Sequence, residues 1–248
     1  YLNKPHKVKL FDYEKGSIEM EMSSLDSIRY MVKFMHCAMV AMEPQTGAVK
    51  AWVGDIDFNS WKYDKVKAMR QPGSTFKLFV YTEAMNQGLT PCDKRRDEYI
   101  SMQVYDSKKH EMTTWTPGNA NGSFSGDSMA LKSAFAKSIN SVAVRLGQEM
   151  GIKRIIETAH KMGVDSKLDD TPSLALGSSD MNLLELADSY CTVADNGRHH
   201  APVLVTRIVD RDGKEVYRAP EDAEQVIPYK SAFFMQQLLK GGMMEPGG

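Results

Sequence analysis

The chain has few of the residues that build disulfide frameworks or metal sites. It contains three cysteines and six histidines among 248 residues. An odd number of cysteines without C-x-x-C spacing suggests neither a disulfide framework nor a zinc site. Cys37 and Cys191 lie in apolar runs and are predicted to be small core residues, whereas Cys92 lies in a polar segment and is predicted to be exposed. His199 and His200 follow an Asn-Gly pair, which predicts a solvated loop.

The chain also lacks a strong charge and a long hydrophobic run. Its formal net charge of −1 gives no electrostatic reason to expect nucleic acid or an anionic membrane as a partner. No apolar run approaches the length of a membrane span, and the N-terminus has no signal-peptide core. We therefore expect any attachment to a membrane to depend on segments that this chain does not contain. Its apolar and charged fractions are those of an ordinary globular protein.

Two regions differ in composition. Residues 1–35 combine a charged, alternating stretch around Gly16, typical of short exposed strands, with a short helix over 23–35. They are predicted to form a linker or pedestal, and residues 36–248 the main domain. This domain opens with two apolar runs around a Pro/Gly turn, at 37–42 and 48–54, which is the pattern of a hairpin.

The rest of the chain is predicted to be largely helical. Between the first two helices, residues 90–126 are polar and turn-rich and are predicted to form a loop excursion. A second small hairpin is predicted over 203–209 and 215–217. Apolar runs between glycines predict helices over 74–87, 128–135, 141–149, 152–162, 181–195 and 229–240.

The most informative stretch is residues 70–77, which read R-Q-P-G-S-T-F-K. Residues three apart on a helix share a face, so Lys77 can reach the hydroxyl of Ser74. The Pro-Gly break predicts that Ser74 lies at a helix N-terminus, where free backbone N–H groups favour negative charge. A serine with an amine to take its proton is what acyl transfer requires. The bare S-x-x-K spacing also occurs by chance, and the alternative is a capping serine followed by a solvated lysine.

A second candidate element is S-I-N at residues 138–140. In an extended connection alternate residues point the same way, so Ser138 and Asn140 are predicted to face one cleft. The hydroxyl could relay a proton, and the amide could hold a peptide carbonyl or the lysine. The alternative is that Ser138 or Ser141 caps the following helix and that Asn140 merely turns the chain.

Together the two elements resemble the penicillin-recognising serine transferases, and most closely the transpeptidase domain of class A, bifunctional penicillin-binding proteins. S-x-x-K is part of the signature of that group, and residues 70–77 match the nucleophile motif of the family almost letter for letter. W-T-P-G-N at 115–119 resembles its W-x-P-x-N loop, and 131–140 resembles the run that leads into S-x-N. The resemblance extends over nearly the whole chain. It implies an α/β fold of the penicillin-binding-protein and serine β-lactamase type, with an antiparallel sheet flanked by helices.

The resemblance implies a role for each matching residue. Ser74 would be the nucleophile that attacks the penultimate D-alanine carbonyl of a stem peptide, or a β-lactam carbonyl. Lys77 would be its base, and Ser138 would pass the proton to the departing D-alanine. Asn140 would bind the substrate amide. No metal or organic cofactor is implied, because serine acyl transfer needs none.

Partners and place of action follow from the same resemblance. The expected partners are peptidoglycan stem peptides, on a lipid-linked precursor or a nascent glycan strand, with β-lactams as covalent inhibitors and no nucleic acid. The expected location is the periplasmic or extracytoplasmic face of the bacterial inner membrane. In the W-x-P-x-N loop, Asn119 is expected to contribute to substrate binding. Trp115 is either an exposed wall for the substrate or a buried anchor of the loop.

The third motif of the family, K-T-G or K-S-G, is not found in the sequence. Lys240-Gly241-Gly242 only imitates it, because it ends a predicted helix, whereas the family's element lies on a strand. Aligned by motif order, the chain is expected to stop before that strand, which leaves an open sheet edge. Losing the oxyanion donor of that strand costs on the order of 100- to 1000-fold in rate. The alternative functions are therefore a non-catalytic or incomplete module of this fold, and a D,D-carboxypeptidase or β-lactamase of the same superfamily.

Overall fold

The computed structural model describes residues 2–106 and 109–244. The described part of the main domain contains six α-helices and two 3₁₀ helices, Gly73–Phe76 and Pro172–Leu176. None of the helices in the described part of the chain combines the length and the apolar character needed to cross a membrane. The α-helices are α1 (Ser24–Met31), α2 (Lys77–Asn86), α3 (Leu131–Ala136), α4 (Asn140–Met150), α5 (Ile152–Lys161), α6 (Leu183–Ala194) and α7 (Tyr229–Met244).

The described strands form antiparallel pairs rather than one continuous sheet. The pairs are β1 with β2, β3 with β4, β5 with β8, β6 with β7, β9 with β12 and β10 with β11. Their bounds are β1 (His6–Asp12), β2 (Gly16–Met22), β3 (Met39–Met42), β4 (Val49–Val53), β5 (Lys94–Arg96), β6 (Met102–Asp106), β7 (Glu111–Trp115), β8 (Ser128–Ala130), β9 (Arg198–His199), β10 (Arg207–Val209), β11 (Glu215–Arg218) and β12 (Glu224–Gln225).

Residues 1–35 contain a hairpin and a short helix, as their composition predicts. The turn of the β1–β2 hairpin lies at Gly16, and α1 follows directly. The helix begins at Ser24, one residue later than predicted, because Ser23 is its N-cap: the Ser23 hydroxyl accepts a hydrogen bond from the backbone N–H of Asp26. The ring of Phe11 packs edge-on against Trp61, so this region contacts the main domain through aromatic rings.

Helix α2 runs through the centre of the core. Residues 77–85 are all buried, and Leu78, Phe79, Val80 and Tyr81 are fully excluded from solvent. The helix packs against α4, α5 and α7. Burial of an aliphatic or aromatic side chain of this size contributes about 1.5–3 kcal/mol. The helix that begins at Lys77 is therefore among the most firmly held elements of the chain.

The predicted helices occur, but several of their ends shift. Residues 128–130 form strand β8 instead of the start of a helix, since they pair with β5. Helix α6 begins at Leu183 rather than 181, because Asn182 and Glu185 form a reciprocal capping box in front of it. Residues 240–242 lie inside α7, so the Lys-Gly-Gly sequence is helical, as predicted, and does not form a strand.

The loop predicted over 90–126 is the largest difference in secondary structure. It contains the strands β5, β6 and β7, with a short irregular segment between β5 and β6 and a longer one after β7. Along β6, half-buried Met102 and Val104 alternate with exposed Gln103 and Tyr105, which is the period of a strand. The polar residues that suggested a loop are the exposed face of this hairpin, and Gln103 even donates to the hydroxyl of Thr114 across it, at 2.8 Å.

Three single-residue predictions were wrong. Cys37 is exposed, because strand β3 begins only at Met39 and leaves the cysteine outside the pair. His199 is half-buried and His200 is buried, and each histidine contacts an aspartate instead of solvent. Their Nε2 atoms lie 2.9 Å from Asp188 Oδ2 and 2.8 Å from Asp195 Oδ2.

The β3–β4 hairpin has an open edge in the described residues, as the sequence predicts. The hairpin is two-stranded. Outside the β3–β4 pair, Ala48 in its turn forms a single parallel bridge with Val203. Met39 and Val53 are 54% and 46% exposed. The hairpin therefore presents unpaired backbone groups and apolar side chains on one side.

Candidate active site

Ser74 lies on a 3₁₀ turn that leads directly into α2. The turn begins at Gly73, whose φ of +59° is a conformation that glycine adopts without strain. The side chain of Ser74 is exposed, whereas Phe76 and Lys77 are buried. The first N–H groups of such a turn have no partner within the helix. The hydroxyl of Ser74 therefore lies in the open, at the N-terminal end of the most buried helix.

A second loop supports this turn from behind through backbone contact. Gly177, with a φ of +73°, ends the 3₁₀ helix Pro172–Leu176 and accepts a hydrogen bond from the N–H of Gly73 at 3.4 Å. A Cβ atom on Gly177 would meet the carbonyl oxygen of Gly73 and lie 2.6 Å from its nitrogen. Arg70 and Met181 exchange two backbone hydrogen bonds of 3.0 Å next to it. The position of the Ser74 turn thus depends on a glycine in the neighbouring loop.

Lys77 is buried, and its amine is fully hydrogen-bonded. Lys77 is 2% exposed. Its Nζ lies 2.7 Å from Ser138 O, 3.0 Å from Ser138 Oγ and 2.7 Å from Asn140 Oδ1. No carboxylate in the described residues forms an ion pair with it. Burial without a counter-charge lowers the pKa of Lys77 from 10.5 to about 8.

Ser74 and Lys77 lie one turn apart, but they form no hydrogen bond in the described structure. The three donors of Lys77 point at Ser138 and Asn140. An ammonium uses all three N–H groups in these contacts, whereas a neutral amine has two and a lone pair. Deprotonation therefore releases one contact and leaves Lys77 able to accept a proton.

Ser138 has a left-handed backbone, with a φ of +52°. It follows the C-cap residue of α3, and the N–H groups of Ser138 and Ile139 donate to the carbonyls of Phe135 and Ala134. These two bonds define a Schellman motif, in which the left-handed position is usually glycine. The prediction of an extended connection was therefore wrong, yet the turn still directs both Ser138 oxygen atoms at Lys77.

Asn140 is the first residue of α4, and it is held on both sides. Its Nδ2 donates to Gly118 O at 2.9 Å, and its Oδ1 accepts from Lys77. The N-cap residue of α4 is Ile139, which provides no side-chain cap. The alternative in which Ser138 or Ser141 caps this helix is therefore not what the structure contains.

The W-x-P-x-N loop reaches the site through its backbone and through Asn119. Asn119 is 7% exposed, and its Oδ1 accepts from the N–H groups of Asn140 and Ser141 at 3.0 and 3.1 Å. Its Nδ2 donates to Asp97 Oδ1 and Ser123 O at 2.7 and 3.0 Å. All its hydrogen-bonding positions are used, so this side chain is not available to a substrate, contrary to the sequence-based expectation.

Trp115 ends β7 and is half-buried against the hydrophobic core. It pairs with Met102 across the hairpin. This placement agrees better with the anchoring alternative than with an open wall for the substrate, because part of the ring packs against the core.

Sequence reasoning missed one residue of this arrangement. Asp97 is 3% exposed and lies beneath Asn119 and Ser141, to which its Oδ1 is bonded. It stands in the run K-R-R-D-E at 94–98, which has the composition of a solvated loop. Its partners are 22 and 44 residues away, so no local spacing indicates the contact.

Two family models match the chain. The model described as penicillin binding protein transpeptidase domain matches residues 37–247. The model described as penicillin-binding protein middle domain matches residues 1–35.

Curated proteins and a solved structure give the same likeness. The chain is 32% identical over 202 residues to penicillin-binding protein 2D of Bacillus subtilis strain 168, which covers 81% of this chain and 29% of that protein. It is 33% identical over 210 residues to penicillin-binding protein 1A of Neisseria meningitidis serogroup A, covering 82% and 26%. The crystal structure of penicillin-binding protein 1A from Haemophilus influenzae is similar with a TM-score of 0.77 and 25% identity, over 86% of this chain and 36% of that one. The chain spans less than a third of the length of the curated relatives named here.

Proposed function

Because the chain belongs to the family of penicillin-binding protein transpeptidase domains, we propose that it is a serine D,D-transpeptidase that cross-links peptidoglycan stem peptides. The family and the penicillin-binding-protein fold predicted from the sequence are confirmed by the match over residues 37–247 and by the Haemophilus structure. The reaction, the substrate and the role of each residue are the proposal.

One observation carries this proposal. The Lys77 amine is buried one turn from the exposed hydroxyl of Ser74, and it contacts both Ser138 and Asn140. Burial favours the neutral amine, which is the form that can accept a proton from Ser74. A lysine with a merely structural role at the surface would keep its amine in water and its charge.

Acylation begins with attack of Ser74 Oγ on the penultimate D-alanine carbonyl of a stem peptide. The proton of the hydroxyl moves to Lys77 Nζ as the new C–O bond forms, and the carbonyl oxygen becomes an oxyanion next to the N–H of Ser74. Asn140 holds the peptide amide through its side chain. When the C–N bond breaks, the leaving D-alanine takes the proton from Lys77 through the hydroxyl of Ser138.

The second half of the reaction transfers the acyl group. The amine of a neighbouring stem peptide attacks the Ser74 ester and loses its proton to the Ser138–Lys77 pair. As the ester C–O bond breaks, that proton passes to Ser74 Oγ, and the product leaves as a cross-linked amide. A β-lactam carbonyl reacts in the first step in the same way. Its amine stays tethered to the acyl group after the ring opens, so the ester persists.

A second oxyanion donor is needed for full activity, and the sequence offers no K-T-G or K-S-G motif to supply it. One missing donor lowers the rate on the order of 100- to 1000-fold.

Place, partners and domain division follow from the same proposal. The substrate is the stem peptide of a lipid-linked precursor or a nascent glycan strand, and the reaction takes place at the extracytoplasmic face of the bacterial inner membrane. We place the boundary between the linker or pedestal and the transpeptidase domain at residues 35 and 36. The two family models meet there, and the hairpin β1–β2 with α1 precedes it. The end of this domain, at 248, lies outside the described residues.

The test is covalent labelling with a fluorescent penicillin, followed by denaturing electrophoresis. Wild type is expected to label, and Ser74→Ala is expected to lose the label. Ser101→Ala removes an exposed serine outside the cleft and serves as the matched control, which keeps the label. Labelling that survives in Ser74→Ala would show that another residue is the nucleophile.

The lifetime of the label separates the proposal from a β-lactamase or carboxypeptidase. A transpeptidase ester with penicillin should persist for much longer than the labelling reaction takes, because such an ester is poorly hydrolysed. Rapid turnover of a chromogenic β-lactam by the wild type would contradict the transpeptidase assignment and leave the role of Ser74 intact.

A further inference from the structure

A buried carboxylate lies behind the candidate site. Asp97 Oδ1 accepts hydrogen bonds from Ser141 Oγ at 2.6 Å and from Asn119 Nδ2 at 2.7 Å, and Oδ2 accepts from the N–H of Ser125 at 2.9 Å. Its own backbone N–H and carbonyl pair with Asp127 and Gly126. Every contact to the side chain is thus made by a donor, and no cation in the described residues forms an ion pair with it.

The charge of Asp97 is stabilised by these donors. Burial raises the pKa of its carboxyl, but hydrogen bonds from the Ser125 backbone and from the side chains of Ser141 and Asn119 outweigh burial. The pKa of Asp97 therefore lies below its ordinary value. At neutral pH both oxygens are acceptors.

This fixes which way the amide of Asn119 faces. An ionised carboxylate only accepts hydrogen bonds, so the NH₂ group of Asn119 must face Asp97. Its carbonyl oxygen then faces the N–H groups of Asn140 and Ser141, at 3.0 and 3.1 Å. The reverse orientation would set acceptor against acceptor at Asp97 and donor against donor at the N–H groups of Asn140 and Ser141, and all of these bonds would be lost.

Asn119 thereby replaces the missing cap of α4. The residue in the N-cap position, Ile139, has no group that can accept from the first turn. Asn119 supplies the acceptor from another loop, and Ser141 ties the same turn directly to Asp97. A negative charge near a helix N-terminus is favourable in itself. Asn140 is the first residue of this turn, and its Oδ1 lies 2.7 Å from Lys77 Nζ.

We propose that Asp97 is a positioning residue for acyl transfer: through Asn119 and Ser141 it holds the first turn of α4 so that Asn140 presents its oxygen to Lys77. The inference rests on the function proposed above. Asp97 touches neither Ser74 nor the proposed substrate position, so its effect passes through Asn140 alone.

The test measures the second-order rate of acylation by a penicillin. Asp97→Asn keeps the shape but places an NH₂ group against a donor, so Asn119 loses its fixed orientation. The rate is expected to fall about 10- to 100-fold, the range seen when the support of a reacting group is loosened. Asp127→Asn, an exposed carboxylate in the neighbouring loop, is the matched control and should acylate as wild type does.

Two readouts distinguish positioning from a general loss of structure. If Asp97 acts through Asn140, the double variant Asp97→Asn/Asn140→Ala is no slower than Asn140→Ala alone. The pH midpoint of acylation should also move to lower pH in Asp97→Asn, because the Lys77 ammonium loses the acceptor that Asn140 provides. The proposal is contradicted if the two substitutions lower the acylation rate independently, so that their factors multiply in the double variant. It is also contradicted if the pH midpoint of acylation is unchanged in Asp97→Asn.

A folding failure does not leave the question open. If Asp97→Asn yields no folded protein, Ser141→Ala removes only the shortest contact of Asp97 with α4, and acylation should then fall several-fold. Wild-type rates in either folded variant overturn the role of Asp97. Labelling that persists in Ser74→Ala is a separate result, since it refutes the proposed function itself.

Discussion

Lys77 combines two properties that oppose each other in a charged amine. It has three hydrogen-bond acceptors around it, which favour the ammonium, and it is buried without a carboxylate partner, which favours the neutral amine. Burial dominates and brings the pKa to about 8. A lysine held near this value can change its protonation state during a reaction at neutral pH.

The first prediction is the pH dependence of acylation. The base must be neutral, so the rate should rise about tenfold per pH unit below pH 8 and level off above it. Stopped-flow acylation by a β-lactam between pH 6 and 9.5 measures this. Lys77→Arg, which stays charged, should not acylate over this range. A flat profile in the wild type would contradict Lys77 as the base.

The second prediction separates the effect of the Ser138 backbone conformation on stability from the role of the Ser138 hydroxyl in acylation. Its φ of +52° costs a non-glycine residue on the order of 1 kcal/mol. Ser138→Gly and Ser138→Ala both remove the hydroxyl next to Lys77, but only the glycine removes the backbone strain. We expect both to acylate slowly, with Ser138→Gly the more stable of the two by about 1 kcal/mol. Thermal unfolding and labelling, measured together, check this. Equal stabilities would mean that the turn is relaxed in solution.

At this scale the sequence predicted which residues approach each other, but not how they do so. The motif spacing brought Ser74, Lys77, Ser138 and Asn140 to one region. The left-handed turn at Ser138 could not be predicted, because serine rarely adopts that conformation. Asp97 was missed because a buried acid looks like a surface acid until its distant donors are known.

At the scale of elements, the site is held by the ends of helices and by loops that pack behind them. Helix α2 is buried from Lys77 to Met85 and carries the Ser74 turn at its start. Helix α4 begins at Asn140, and the loop around Gly177 packs against the backbone of Gly73. The geometry of the site therefore depends on where helices begin rather than on their middles.

The third prediction concerns this loop. Gly177→Ala places a methyl group against the backbone of Gly73, so the Ser74 turn must move. Gly16→Ala is the matched control, because Gly16 has a φ of +70° against +73° for Gly177 and no atom within 4 Å of an added Cβ. Both substitutions destabilise the protein by about 1 kcal/mol, because alanine replaces glycine at a positive φ. Only Gly177→Ala should also lose acylation, by about 100-fold if the turn shifts by 1 Å. Equal acylation rates in the two variants would contradict the supporting role of the loop.

Helices were predictable and several strands were not, for a physical reason. The helices were predicted from apolar runs between glycines, which is a signal local to the sequence. Strand β5 pairs with β8, more than thirty residues later, through exposed, charged residues such as Lys94 and Arg96. Such pairing leaves no local pattern, so residues 90–126 resembled a loop.

At the scale of the whole molecule, the pH dependence of stability has a contribution that the site does not explain. The carboxylate of Asp188, 2.9 Å from Nε2 of His199, raises the pKa of that histidine above its ordinary value. The folded state therefore keeps this proton to higher pH than the unfolded chain does. The stabilisation is complete below about pH 6.5 and is lost as pH rises through the folded pKa.

The fourth prediction follows from that sign. The free energy of unfolding of wild type should fall from pH 6 to pH 7.5, and the fall should be smaller in His199→Gln. Lys77 has the opposite effect on the free energy of unfolding, and only at higher pH. Its pKa is lowered from 10.5 to about 8, so the stability rises with pH between these two values. Urea titrations at each pH measure this, with His6→Gln, an exposed histidine, as the control. An identical slope in His199→Gln would contradict the assignment.

The left-handed serine at 138 also constrains how this protein can change over time. Serine and glycine codons can differ by one nucleotide, and glycine suits this turn better than serine does. Selection for heat resistance alone would thus favour a single mutation that removes the hydroxyl proposed to pass the proton. Stability and the proposed proton transfer therefore make opposite demands on position 138.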